Sequence, residues 1–328
     1  FNLFGFSEMQ EFTMDKTGTE NNGGTNNKEN NKTEKNKDAK IEQFIRYLQA
    51  ERNYSVHTAR AYAADMRGFA VFLTNKHNSV SFENCTKQTV RDYLAFLYNN
   101  NLKKSSIGRK LAVLKSFYKF LAINSRITTN PVSAMATPKK EKKIPVFLTE
   151  QEILDLFDIP QLPLRDKAML ELLYSSGIRI EEMINLNLKD LDIISETVKV
   201  FGKGAKERTV PIGVKCLNAI KEYLDFRRGA GQSCKTDSPM FLNKYGGRIS
   251  SRGARKALHG WFIKAGYLKK VSPHTIRHSF ATHMLDRGCG IRTVQQILGH
   301  KNLATTQIYT HVTLESLRKI YNQAHPRK

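Results

Sequence analysis

Three histidines and an arginine crowd ten positions of the stretch HTIRHSFATHML, residues 274–285: His274, Arg277, His278 and His283. Imidazoles spaced i, i+4, as at His274 and His278, share one face of a helix, a spacing that zinc sites use. Here no H-E-x-x-H, adjacent cysteine pair or evident carboxylate ligand accompanies them. Arg277 would also set a permanent positive charge beside the cation. A second reading makes His278 and His283 ordinary hydrogen-bonded residues of a core or surface. A third accounts for the arginine. Ser272-Pro273 reads as a helix start, with proline in the first turn. His274 and Arg277 then stand i, i+3 at the helix N-terminus, where unpaired backbone N–H groups and the helix dipole favour an anion. The guanidinium adds a rigid fork suited to two phosphate oxygens. H-x-x-R is a weak motif alone, so its company matters.

That company is cationic. Upstream, Arg179 follows a glycine in SSGIRIEEMINL, and Lys203 sits in GKGAKER. Downstream, LGHKNLATTQIYTHV places His300 after a Leu-Gly stop, with Tyr309 nine residues later. Each has an unremarkable alternative. Arg179 has Glu182 within reach on its own helix. Lys203 and Lys206 are ordinary turn charges by type. Tyr309 is by type a core aromatic with a satisfied hydroxyl. Tyr174 and Tyr321 rival it as nucleophiles.

The whole chain shares this charge. It has 53 Lys+Arg against 30 Asp+Glu, a net +23 over 328 residues. Residues 1–40 hold six of the basic and seven of the acidic residues, so residues 41–328 carry a net +24. A folded surface this positive repels itself unless a polyanion binds it, and nucleic acid is the usual one. A simply solvated basic surface is the bland alternative. Cys85, Cys216, Cys234 and Cys289 are scattered without framework spacing, as suits a reducing cytoplasm. No apolar run approaches a membrane span. FNLFGFSEMQEFT lacks a basic leader and a long apolar core, so it is not expected to be a signal peptide. Met14 is the expected natural start, which an intact mass that included Phe1 would contradict.

The elements that must position these residues follow from periodicity. Residues 15–40 are almost devoid of apolar side chains and read as disordered. Four helices are then predicted, on Ile41, Phe44, Ile45 and Leu48; on Tyr62, Met66, Phe69 and Leu73 with Ser55 as N-cap; on Val90, Tyr93, Leu94 and Leu97; and on Ile107, Leu111, Leu114, Tyr118 and Leu121 with Ser105 or Ser106 as cap. Lys103, Lys104, Arg109, Lys110 and Lys115 beside the last stripe read as phosphate contacts or solvated charges. Prolines and lysines mark residues 131–147 as an exposed basic linker. Beyond it, Thr149-Glu150 precedes an apolar helix, a second helix covers about 164–175 and stops at Gly177, and IRIEEMINL makes a third. Residues 197–212 read as two strands around the Gly-Lys-Gly turn, and the chain is mostly helical from Ser251 on. Leu314, Leu317, Ile320 and Tyr321 give a terminal helix one apolar stripe. The domains are therefore set at 1–40, a disordered extension; 41–130, a helical domain; 131–147, the linker; and 148–328, a second, mainly helical domain with a small sheet.

Taken in order, Arg179, Lys203, His274-x-x-Arg277, His300 and Tyr309 resemble the active-site set of the tyrosine recombinases, the lambda integrase family. SGIRIEE, GKGAKERTVPI, HTIRHSFATHML, ILGHKNLATTQIYTHV and the closing AHPR look most like its XerC/XerD branch, over about residues 41–328. The resemblance implies a mainly α protein, with an N-terminal four-helix SAM-like core-binding domain and a mixed α/β catalytic domain, mostly helical with a small antiparallel sheet. It implies a DNA strand transferase without metal or nucleotide cofactor, consistent with the lack of a G-x-x-x-x-G-K-[ST] loop. Arg179 and Arg277 would hold the phosphate oxygens, His300 would add a hydrogen bond, and His274 would exchange a proton near the nucleophile. Tyr309 would attack phosphorus, and Lys203 would protonate the leaving 5′ oxygen. The expected partners are double-stranded DNA bearing a short palindrome-like site, gripped by both domains, and further copies or a second related recombinase in a tetramer. The terminal helix either folds back on its own domain or docks into a neighbouring protomer. Chromosome dimer resolution in the cytoplasm is the expected role; an integrase of a mobile element and a non-catalytic DNA-binding protein are its rivals.

Overall fold

The computed structural model describes residues 24–124, 126–138, 146–202, 207–267, 271–299 and 314–327. The chain divides between residues 142 and 143 into two compact units. Among the described residues these comprise twelve α-helices and one three-stranded sheet.

The first unit holds α1 (Gly24–Ala50), α2 (Val56–Lys76), α3 (Lys87–Asn99) and α4 (Lys104–Ile123). Their predicted stripes meet in an aromatic core where Phe44 and Phe82 both set edges or faces against Phe117, at 5.2 and 4.9 Å between centroids. Each such ring removed from water contributes about 1.5–3 kcal/mol. Ser55 caps α2 as expected, its hydroxyl accepting from the Thr58 N–H at 3.3 Å. The expected serine cap on α4 is corrected: Lys103 holds that position without a side-chain bond, and Ser105 and Ser106 lie within the first turn.

Two boundary expectations also change. Residues 24–40, read as disordered, are the first half of α1. Apolar content is a poor guide here, because long lysine stems bury while their ends find partners. Lys37 donates to Thr74 Oγ1 at 3.5 Å, and Lys40 pairs with Glu83 at 2.6 Å. The linker, read as exposed from 131 on, begins inside the first unit: Val132 and Met135 are buried in its core. Asn130 Oδ1 accepts from the Val132 N–H at 3.0 Å and turns the chain inward. Residues 1–23 and 139–145 lie outside the described residues.

The second unit contains α5 (Glu150–Phe157), α6 (Leu164–Ser176), α7 (Ile180–Asn185), β1 (Leu191–Asp192), β2 (Thr197–Phe201), β3 (Glu207–Pro211), α8 (Val214–Gly229), α9 (Ser251–Lys264), α10 (Pro273–Asp286), α11 (Ile291–Leu298) and α12 (Leu314–Ala324). The sheet order is β1-β2-β3, all antiparallel, with Thr197 opposite Pro211 and Phe201 opposite Glu207. A reciprocal Thr149–Glu152 box starts α5, at 3.2 and 2.7 Å. The central helix is α6, against which α5, α7, α8, α9, α10 and β3 all pack. Polar residues on it are buried with partners: Asp166 accepts from Trp261 Nε1 at 2.9 Å, and Glu171 from Arg327.

The terminal helix folds onto its own unit. Leu317 and Tyr321 are buried and Ile320 packs against the core; the Leu314 side chain lies outside the described ones. Tyr321 Oη and Ser175 Oγ share a hydrogen bond at 2.7 Å, and Ser175 Oγ accepts from the Gly213 N–H at 2.8 Å. The tail continues along α6: His325 reaches the Tyr174 carbonyl at 3.3 Å, and Arg327 pairs with Glu171. Among the described residues no helix is long and apolar enough to cross a membrane.

Candidate active site

Four helix ends and a strand of the second unit bring the site together: the C-terminus of α6, the N-terminus of α7, strand β3, the N-terminus of α10 and the C-terminus of α11. Gly177 ends α6 in the left-handed conformation, with φ +60°. A β-carbon there would stand 2.4 Å from Phe280 Cδ1 and 2.9 Å from Leu298 Cδ2, so only glycine lets α6, α10 and α11 meet this closely.

Arg277 is the centre of that meeting. It projects from α10, which begins with the expected Ser272 cap and Pro273. Its guanidinium is buried, with Nη1 donating to the Gly177 carbonyl at 2.6 Å and Nη2 to the Leu298 carbonyl at 2.7 Å. Both acceptors stand at helix C-termini, where the macrodipole favours a cation. The charge is thus held by dipoles rather than by a carboxylate, and the local field stays positive. Burial first, and then the neighbouring Arg179 charge, pulls the Arg277 pKa down to about 10, so it remains a cation at neutral pH.

Arg179 stands just before α7. Its backbone N–H donates to Glu182 Oε2 at 2.9 Å and its Nη1 to Oε1 at 2.9 Å. Glu182 is also gripped from β3: Arg208 Nη1 reaches Oε1 at 3.0 Å and Nη2 reaches Oε2 at 2.8 Å. Burial drives the Glu182 pKa up, but the Arg208 hydrogen bonds and those from Arg179 outweigh it, and the net shift is downward. Arg208 Nε donates to the Ile297 carbonyl at 2.9 Å, which ties β3 to the end of α11. Gly299, with φ +65°, lies flat against the Arg208 guanidinium; a β-carbon there would be 3.1 Å from its Cζ.

His274 is exposed at the start of α10. Its pKa is lowered by burial of part of the ring and then by Arg255, Arg277 and Arg179, so it is neutral at pH 7 and able to accept a proton. Arg255, on α9, is paired with Glu181 at 2.9 Å.

Of the six residues expected at the site, Arg179, His274 and Arg277 are brought together; Lys203, His300 and Tyr309 lie outside the described residues. The rival tyrosines are core residues. Tyr174 Oη bonds to His283 Nδ1 at 2.8 Å, and Tyr321 is fully buried; burial raises both hydroxyl pKa values. His283 is a buried partner of Tyr174, which accords with its ordinary reading as a core residue. Among the described residues no group of three or more His, Cys, Asp or Glu side chains is placed to hold a metal ion. Arg208 and Arg255 went unread in the sequence. For Arg208 a signal existed: it has the same strand parity as buried Val210, so an arginine faces inward there.

Residues 146–316 match the phage integrase family, and residues 41–124 its N-terminal SAM-like domain. The tyrosine recombinase XerC of Syntrophus aciditrophicus is 40% identical over 304 residues, covering 88% of this chain and 98% of its own. The XerC of Halalkalibacterium halodurans is 43% identical over 298 residues, with the same coverage. Among solved structures, the XerH site-specific recombinase bound to palindromic difH substrate aligns with TM-score 0.68 at 19% identity, covering 90% of this chain and 94% of that one. A lambda integrase tetramer bound to a Holliday junction aligns with TM-score 0.65 at 18% identity, covering 84% and 80%. These two share the fold.

Proposed function

The chain belongs to the phage integrase family, the tyrosine recombinases, and from that premise we propose that it resolves chromosome dimers. It is a tyrosine-type DNA strand transferase of site-specific recombination, XerC-like in sequence. Curated relatives called XerC, matched over nearly their whole length, favour the chromosomal role over that of a mobile-element integrase.

In this reading Arg277 and Arg179 bind the non-bridging oxygens of the scissile phosphate, and His300 adds a donor. Charge builds on those oxygens in the transition state, and fixed cations in a partly dry site stabilise it there. His274 takes the phenolic proton as Tyr309 Oη attacks phosphorus. The P–O bond to the 5′ oxygen breaks, and Lys203 protonates that oxygen. The 3′-phosphotyrosyl link keeps the bond energy for religation. A 5′ hydroxyl from the partner duplex then attacks and releases Tyr309, and two such exchanges make a Holliday junction. The substrate is duplex DNA with a short palindrome-like site, held by a tetramer of this chain or of this chain with a related recombinase, in the cytoplasm on the nucleoid.

The observation that carries the reading is the buried Arg277 guanidinium, held by two helix-end carbonyls beside Arg179 and Arg208. The test is a nicked suicide duplex carrying a candidate site, incubated in excess EDTA with wild type and Tyr309→Phe, alone and with a related recombinase. A covalent adduct from wild type only is expected. An adduct from both would move the nucleophile elsewhere, and none from either, across sites and partners, would leave a DNA-binding protein.

A further inference from the structure

We infer that Arg208 is a positioning residue for strand cleavage: by occupying half of Glu182 it fixes Arg179 and keeps that arginine's charge available to the phosphate. The inference rests on the strand-transfer reading above.

A carboxylate offers about four acceptor sites. On Glu182 all four are filled, two by Arg179 and two by Arg208, one of each on either oxygen. Because Arg208 holds one side of both oxygens, Glu182 accepts a single side-chain hydrogen bond from Arg179 instead of clamping its whole fork. The charge count has the same sense. Arg179 with Glu182 alone is a neutral pair, whereas Arg208 makes the trio net positive. Without Arg208, a buried carboxylate facing one arginine would draw it into a tighter, bidentate pair.

Arg208 also acts on Arg277. Its Nε bonds the Ile297 carbonyl, and the next carbonyl, Leu298, holds Arg277 Nη2. The guanidinium supports the backbone of Gly299 from below. One side chain on β3 thus fixes the supports of two phosphate-binding arginines, one just before α7 and one on α10. Lysine cannot substitute for it, since a single ammonium lacks the planar fork plus a third N–H at a fixed angle.

The test compares wild type, Arg208→Ala, Arg208→Lys, Glu182→Gln and the double Arg208→Ala/Glu182→Gln on the suicide duplex at saturating protein. Cleavage rate, DNA affinity and thermal midpoint are read separately. Arg208→Ala should slow cleavage by roughly 100-fold, as sub-ångström to 1 Å misplacement of a catalytic group does, with DNA affinity within about 3-fold. Arg208→Lys, which keeps the charge, should melt closer to wild type than the alanine variant and still lose roughly 10-fold in rate, so the test stands if the alanine variant unfolds. In the Glu182→Gln background the alanine substitution should cost less than about 5-fold, because the charge it was masking is gone. Losses that simply multiply in the double variant, or cleavage by Arg208→Ala within about 3-fold of wild type, would overturn the inference alone. A wild type that forms no adduct would overturn the strand-transfer reading beneath it.

Discussion

Replacing Gly177 with alanine asks whether the Arg277 pocket is built on a residue that has no room for a side chain. Two costs follow from the geometry. At φ +60° a β-carbon costs about 1–2 kcal/mol. It would also sit 2.4 and 2.7 Å from two carbons of Phe280 and 2.9 Å from Leu298, all buried. Overpacking of that kind adds about 1–3 kcal/mol, for a total of about 2–5. Gly288 provides the control. Its φ is +83°, yet nothing lies within 4 Å of the built β-carbon, so Gly288→Ala carries the first cost alone. The readout is built in: Trp261 is the single tryptophan of the chain and lies in the second unit, so its fluorescence follows the unfolding of that unit. At about 2–4 °C per kcal/mol, Gly177→Ala should melt roughly 4–20 °C below wild type and Gly288→Ala roughly 2–8 °C below. Because Gly177 supplies a carbonyl to Arg277, its variant should also cleave the suicide duplex at least about 10-fold more slowly where both are folded, with Gly288→Ala unchanged. Midpoints within about 1 °C of each other, or equal cleavage rates, would refute the close-approach argument.

Two further predictions concern protons. His274 is neutral at pH 7 because burial and the charges of Arg255, Arg277 and Arg179 lower its pKa. Cleavage should therefore hold its rate until the pH falls below the ordinary histidine range of about 6.5. Arg255→Ala removes one of those charges and leaves the Glu181 carboxylate without its cation, so the acid limb should move to higher pH; a limb that stays put would assign it to another group. His325 bears on stability instead. It is buried as the neutral form, its pKa pulled down to about 4 by burial. The unfolded chain, with a pKa of about 6.5, then binds the proton first, so stability is full above that pH and falls by up to about 3 kcal/mol as pH drops to 4. His283, also lowered by burial, acts in the same direction. Urea titrations followed by Trp261 should show the loss, with a smaller one in His325→Gln; an equal loss in the variant would exclude His325 as its source.

What could be read from the sequence follows from what each residue had to satisfy locally. Ser55, Thr149, Ser272 and Gly177 announce helix ends because their partners lie within four residues, and all four stand where expected. The strand pair around the Gly-Lys-Gly turn was legible from its alternation. Helix α8 went unread although Cys216, Leu217, Ile220, Tyr223 and Leu224 stand at helix spacing; what the pattern does not show is Arg227 on the same stripe, buried against backbone carbonyls 12 and 13 residues away. The early start of α1 went unread for a related reason: Lys37 and Lys40 find their partners 37 and 43 residues along the chain. At the site, residue types identified the cations. Which carboxylate and which carbonyls hold them depends on contacts such as Arg208 to Glu182, 26 residues apart, and Arg277 to Gly177, 100 apart.

The two arginines expected at the phosphate differ in readiness. Arg277 rests on two carbonyls, and carbonyls carry no countercharge to displace. Arg179 rests on a carboxylate that it must share with an incoming anion. A phosphate drawn into this pocket would therefore meet one cation with no countercharge beside it and one whose carboxylate is half taken up by Arg208.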